Sequence, residues 1–300
     1  MKYLSLILLS FQITLAISQN QSEAYRIYST ADKKEVGFER IVQSLSNADV
    51  LFFGEEHDDS VAHVLELKIL EALYEVYGKE LTLSMEMFDR DVQPVMNEYL
   101  LGIIKEKHFL KDARVWNNYK DYKPLVEFAK AKGLDVVCAN AASRYSNLAG
   151  REGIAGLQKL PKASLSFFAP LPYALASGAY RDKLNGLMQH GDAAPANAPA
   201  LKAGFDLISA QSLWDATMAY SIHQYLKANK GKKVYQINGR FHSDEHFAIV
   251  TQLKNYNPKL RSVVISSGSD ENWPDIKWED HAGNGDFIII TNPQFRKSEE

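Results

Sequence analysis

Cysteine is almost absent from this chain. The single Cys138 rules out a disulfide within one molecule, so the fold must rest on its apolar core, of which a lone cysteine is an ordinary small member. An excess of lysine and arginine is also missing. The net charge is −3, and −4 if a leader carrying Lys2 is removed, which offers no basic surface to a phosphate backbone and sets nucleic acid aside as a partner. No internal repeat is visible, and only one long apolar run exists, from Leu4 to Ile17. At about 14 residues it falls short of the roughly 20 that span a bilayer. Placed after Lys2 and before Ala16-Ile17-Ser18 and Gln19, it reads as a signal peptide over residues 1–18. The expectation is an exported protein, periplasmic or extracellular and soluble. With no cysteine at the cleavage point, a lipoprotein anchor is not expected.

What is present is ordinary globular material, 46% hydrophobic and 24% charged, enough for one sizeable core. Short apolar runs alternate with segments of helical period. Val50–Phe53, Leu81–Glu86, Leu134–Ala139, Lys233–Asn238, Ser262–Ser266 and Asp286–Thr291 read as strands. Ser60–Tyr77, Val92–Leu100, a segment capped by Asp121 and running through Pro124 to Lys132, Ser212–Leu226 and Asp244–Leu253 read as helices. This rhythm predicts a single α/β domain over 19–300, with a mostly parallel central sheet and flanking helices. Residues 154–209 break it with Pro161, Pro170, Pro172 and the tract from Gly191 to Pro199, and are expected to form an inserted helical and loop lid.

In such sheets ligands bind beyond the carboxyl ends of the strands. Four predicted strands end in polar residues there: Glu55, Glu56 and His57; Glu86; Asn140; and Asn238, Arg240 and His242. Gly54-Glu55-Glu56-His57 and Gly239-Arg240-Phe241-His242 share a G-x-x-H shape. Glu55, His57, Glu86 and His242 therefore suit a divalent metal, or a general base oriented by an acid. Asp58, Asp59 and Ser60 suit a helix cap. Glu86 sits between Met85 and Met87, where a carboxylate needs a cation or donors; Arg90, four residues on, is one candidate. Gln211, Trp214, Asp215, Met218 and Ile222 fall on one helical face, as either core or site wall. His242 and His246, four apart, would share a helical face.

The segments FFGEEH at 52–57, MEMFDRDVQP at 85–94, WNNYKDYKPL at 116–125, CANAASRY at 138–145, QSLWDATMA at 211–219 and INGRFHSD at 237–244 together resemble the ChaN-type haem-binding uptake proteins of the wider Tiki, TraB and erythromycin-esterase-like superfamily. The resemblance implies an α/β fold and an exported protein of bacterial iron acquisition. It would hold haem in an apolar pocket through a tyrosinate, with pairing of two chains around cofacial haems and delivery from outer-membrane haem uptake machinery. Tyr145 is the expected iron ligand and Arg144 its propionate partner, with Tyr119, Tyr122, Tyr173 and Tyr180 as competitors. Asn140, Trp214, Met218, His57, Glu86 and His242 complete the expected cofactor site, with Phe167, Phe168 and Tyr173 as further walls. The chain departs from many such proteins in lacking the lipoprotein cysteine and in carrying Ala141-Ala142-Ser143 where a proline-containing turn is usual.

The same resemblance implies an alternative. Relatives elsewhere in the superfamily use the G-x-x-H and glutamate positions for hydrolysis, so Glu55, His57, Glu86 and His242 are equally the expected residues of a metal-dependent or esterase-like hydrolase.

Overall fold

The computed structural model describes residues 23–190 and 204–296. The expected leader and the tract from Gly191 to Pro199 lie outside them. Among the described residues, no helix is long and apolar enough to cross a membrane.

Among the described residues, eight strands form one sheet: β1 Tyr25–Ser29, β2 Lys34–Glu35, β3 Val50–Glu55, β4 Leu81–Asp89, β5 Val136–Asn140, β6 Lys233–Gly239, β7 Ser262–Ser269 and β8 Phe287–Thr291. Their order is β2-β1-β8-β7-β3-β6-β4-β5. From β8 to β5 every pairing is parallel, while β1 runs antiparallel to both β8 and β2. All six strands read from the sequence are present. The antiparallel edge was not expected, because Tyr25–Ser29 mixes polar and apolar residues and β2 has only two.

The helices are α1 Phe38–Ser44, α2 Ser60–Tyr77, α3 Gln93–Leu100, α4 Glu106–Asp112, α5 Tyr119–Lys132, α6 Ser143–Leu157, α7 Gly178–His190, α8 Leu207–Ala228, α9 Ala248–Tyr256 and α10 Trp278–His281. Helix α2 starts where Asp59 accepts from the amides of Val61 at 3.0 Å and Ala62 at 3.1 Å, a cap worth about 1 kcal/mol. It buries Ala62, Leu65, Glu66, Ile69, Leu70 and Leu73, the spacing of a single helical face. Strand residues Leu51, Phe53, Leu83, Met85, Tyr235 and Ile237 pack on that side with Leu125 and Val126 of α5. Val50, Phe52 and Val234 pack on the other side, against Met218, Ala219 and Ile222 of α8 and Ile249 of α9. Strands buried on both faces read as continuous apolar runs, which is why they were legible.

Three helix starts differ from expectation for a reason the local geometry shows. Asp121 lies inside the first turn of α5, where it favours the helix dipole without capping it. Helix α8 begins five residues earlier than read, because Asp206 caps it through Ser209. The segment after His242 is not a helix from Asp244: Glu245, His246 and Ala248 have φ of 61°, 58° and 46°, left-handed conformations that delay the helix to Ala248.

Where it is described, the segment 154–209 is packed against its surroundings. Phe168, Ala169 and Tyr173 join Tyr145, Leu157, Leu213 and Ala216 in one buried cluster. Tyr180 and Leu184 of α7 join Ile208 and Ala248 in another. Its backbone is fastened at Ala169 N to the Thr217 hydroxyl and at Ala176 N to the Ser212 hydroxyl.

Candidate functional site

Parallel register gathers the strand-end residues. Phe53, Ile237 and Met85 align across β3, β6 and β4, and Glu55 stands opposite Gly239. Side chains alternate faces along a strand, so Glu55 follows Phe53 toward α2 and α5, whereas Glu86 turns to the other side, toward α8. Each helical layer thus meets one buried strand-end carboxylate.

On the first side, Glu55 is 1% exposed. Its Oε1 accepts from the Tyr122 hydroxyl at 2.7 Å and pairs with His57 Nδ1 at 2.9 Å. Burial works to raise the Glu55 carboxyl, but the bonds from His57 and His63 carry it well below the usual carboxylate range. Burial also opposes a charged His57, and is outweighed by Glu55 and by the field of Glu86, which raise its imidazole. Trp116 stands edge-on to His57 with ring centres 5.3 Å apart. Asn118 donates to the His57 carbonyl at 3.3 Å.

On the second side, Glu86 is buried between Met85 and Met87. Its Oε2 accepts from the amide of Gly239 at 2.7 Å, and its Oε1 lies 3.5 Å from His242 Nε2. Arg90, the expected partner, points elsewhere: it donates to the Ser166 carbonyl and the Ser221 hydroxyl. His242 Nδ1 sits 2.6 Å from Asp215 Oδ1, and the Tyr180 hydroxyl donates to Asp215 Oδ2 at 2.8 Å. Burial disfavours the charged His242, yet the fields of Glu86 and Asp215 lift it to about 9. His246 does not share this site; it pairs with Asp286 at 3.4 Å, because the left-handed turn separates the two histidines.

Gly239 joins the halves. A methyl at this position would stand 2.8 Å from His57 Nε2 and 3.7 Å from Glu86 Oε2, so His57 and Glu86 meet across a surface that only glycine leaves open. The result is two imidazoles, each oriented at Nδ1 by a buried carboxylate, on either side of Glu86. Such an arrangement is able to move protons at Nε2. Among the described residues, the group of three His, Asp, Glu or Cys donors that closes to within 4.8 Å is Glu55, His63 and Glu66; His57, Glu86 and His242 do not close to that spacing.

The tyrosine and arginine expected to serve haem lie on α6. Tyr145 is 6% exposed, packs on Phe168 at 5.1 Å and receives Arg144 at its hydroxyl at 3.2 Å. Arg144 also pairs with Asp91. Asn140 ends β5 with its side-chain oxygen on the Ala141 amide. Trp214 links this region to the histidines: it packs against the Tyr145 cluster, donates to the Ala141 carbonyl at 3.0 Å, and has its ring 6.4 Å from that of His242. Met218 and Phe168 are fully buried in their clusters. Tyr119 and Tyr173 are buried with their hydroxyls unpartnered, while Tyr122 and Tyr180 serve Glu55 and Asp215. The donor set of phenol, imidazole and guanidinium suits ferric haem and its propionates, with half-buried Trp116, Trp214 and Phe167 as apolar surface.

A protein-family model described as haem-binding uptake, Tiki superfamily, ChaN, matches residues 41–253. The chain belongs to this family. The matched span of the ChaN family holds every residue of the site described above. Among solved structures, ChaN of Campylobacter jejuni, described with cofacially bound heme, is 17% identical, covers 90% of this chain and 97% of its own, and superposes with a TM-score of 0.66. An erythromycin esterase, EreC in an open conformation, is 10% identical over 90% of this chain and 83% of its own, with a TM-score of 0.49. The type III effector HopBA1 is 13% identical over 91% of this chain and all of its own, with a TM-score of 0.44. No curated protein matches by sequence.

Two site residues were not read from the sequence, His63 and Glu66. Their signal was available: they are polar residues three apart at the start of an otherwise apolar helical face, and both are buried.

Proposed function

We propose that this chain is an exported haem-binding protein of bacterial iron uptake, holding haem at the strand-end face with Tyr145 as axial ligand and Arg144 as propionate partner. The observation that carries this reading is membership of the ChaN family over residues that include the whole site. The Tyr145 hydroxyl beside a half-exposed Arg144 guanidinium supplies the chemistry that ferric haem takes. When bound, haem would supply the iron that the phenolate ligates; Trp214 and Asn140 border the same face. Pairing of two chains around cofacial haems and receipt of haem from outer-membrane uptake machinery belong to this reading. Titration of the chain with haemin tests it: a stoichiometric shift of the Soret band is expected, and an unshifted band overturns it.

A second reading, hydrolysis, is favoured by one specific observation. His57 and His242 are each aligned by a buried carboxylate, the arrangement a general base requires. Here His57 or His242 would act as general base beside Glu86. Turnover of ester or peptide substrates that is lost in both Glu86→Gln and His57→Ala would support it; no turnover by the unaltered chain would remove it.

A further inference from the structure

Behind His57 lies a second cluster, of which the readings above use Glu55 alone. His63 Nδ1 stands 3.1 Å from Glu55 Oε2 and 3.4 Å from Glu66 Oε2, and one donor atom from each residue lies within 4.8 Å of the others. Donors bound at roughly 2.0–2.2 Å around a tetrahedral ion stand about 3.3–3.6 Å apart. The other ring nitrogen of His63 lies 3.2 Å from the His57 carbonyl, so Nε2 carries a hydrogen. This is how metal-bound imidazoles are oriented. At Nδ1 the ring faces two carboxylates, a grouping that needs positive charge there, carried either by a proton on the ring, which burial disfavours and Glu55 and Glu66 favour, or by a bound cation.

The surroundings supply no such charge from lysine or arginine: among the described residues the ion pairs of Glu55 and Glu66 are with histidines. Glu55 and Glu66 are 1% and 0% exposed, and Glu66 Oε1 is buried with no hydrogen-bond partner. Glu55 divides its two oxygens. Oε1 is held by Tyr122 and His57, and Oε2 turns inward to His63.

We infer that Glu55, His63 and Glu66 enclose one divalent cation of the zinc or manganese class beneath the strand-end site. Glu66 Oε1 is available as a further donor, and mixed nitrogen and carboxylate ligation suits these ions better than calcium, which takes six to eight oxygens. The ion replaces the protons that two buried carboxylates beside one imidazole otherwise require. It also fixes Glu55, and through it the ring of His57.

The full chain, expressed in medium supplemented with zinc or manganese and purified without chelator, is weighed by native mass spectrometry and by elemental analysis. One ion per chain is expected. His63→Gln and Glu66→Gln should hold it at least 100-fold more weakly in chelator competition, while His281→Gln holds it as the unaltered chain does. Tyr122→Phe, which keeps all three donors and loses one hydrogen bond to Glu55, should weaken it about 10- to 100-fold, and serves if the first two variants fail to fold. An unaltered chain free of both ions, or one whose ion survives His63→Gln unchanged, overturns the inference. The Soret band is recorded on the same samples, so that failure to bind haem and failure to hold the ion are read separately.

Discussion

His242 and Asp215 meet at 2.6 Å, although one lies in the turn after β6 and the other in the middle of α8. The contact fixes the imidazole with Nδ1 toward the carboxylate and Nε2 toward Glu86. Asp215→Asn keeps the shape and removes the charge. It should cost about 3 kcal/mol, since breaking a buried pair leaves its partner uncompensated, and urea unfolding of the two proteins measures the difference. Equal midpoints would mean that the pair adds nothing to stability.

The fields of Glu86 and Asp215 on His242 also make stability depend on pH. His242 is raised to about 9 in the folded chain against about 6.5 in an unfolded one. A raised pKa means that the folded state binds the extra proton, so this contribution is complete below pH 6.5 and is lost as pH climbs through 9. Denaturant midpoints should therefore fall across that window, and the fall should be smaller in His242→Gln, where the raised imidazoles of His57 and His63 remain. A parallel decline in both proteins would place the titration elsewhere.

Glycines 54 and 239 should fail differently when changed to alanine. At Gly54 the new methyl would lie 2.7 Å from the Arg240 Cα, a backbone atom, and overpacking of this kind costs roughly 1–3 kcal/mol. At Gly239 it meets the His57 ring, whose side chain is partly exposed and able to swing away. Thermal unfolding should show a lower midpoint for Gly54→Ala. For Gly239→Ala it should show a near-normal one, with a shifted His57 ring resonance by NMR.

If the chain hydrolyses a substrate, Glu86→Gln and His57→Ala should lower kcat/KM by about 10²-fold or more, whereas haem affinity should stay within a few-fold. Loss of haem binding with retained hydrolysis would reverse the assignment of the two halves of the site.

The sheet was legible because six parallel strands are buried on both faces and so appear as unbroken apolar runs, and because Asp59 caps the start of α2 and Gly133, with φ of 64°, ends α5. The convergence of Glu55, His57, Glu86 and His242 followed from that topology. The edge strands β1 and β2 were not legible, being short and exposed on one side. Nor were the partners of the site: that Arg90 turns to Ser221 instead of Glu86, that Asp215 and Tyr180 serve His242, and that His63 and Glu66 lie behind Glu55. These depend on packing between segments far apart in the chain, which no local pattern encodes. The left-handed turn at Glu245 and His246 defeated a helical reading because nothing in its composition demands that conformation.

The most direct measurement is absorbance of the purified chain titrated with haemin, beside Tyr145→Phe. Ligation by the Tyr145 phenolate predicts a saturable Soret shift in the unaltered chain that is lost or displaced when the phenol is removed. A chain that leaves the haemin spectrum unchanged, or a Tyr145→Phe protein with the same spectrum and affinity, contradicts it.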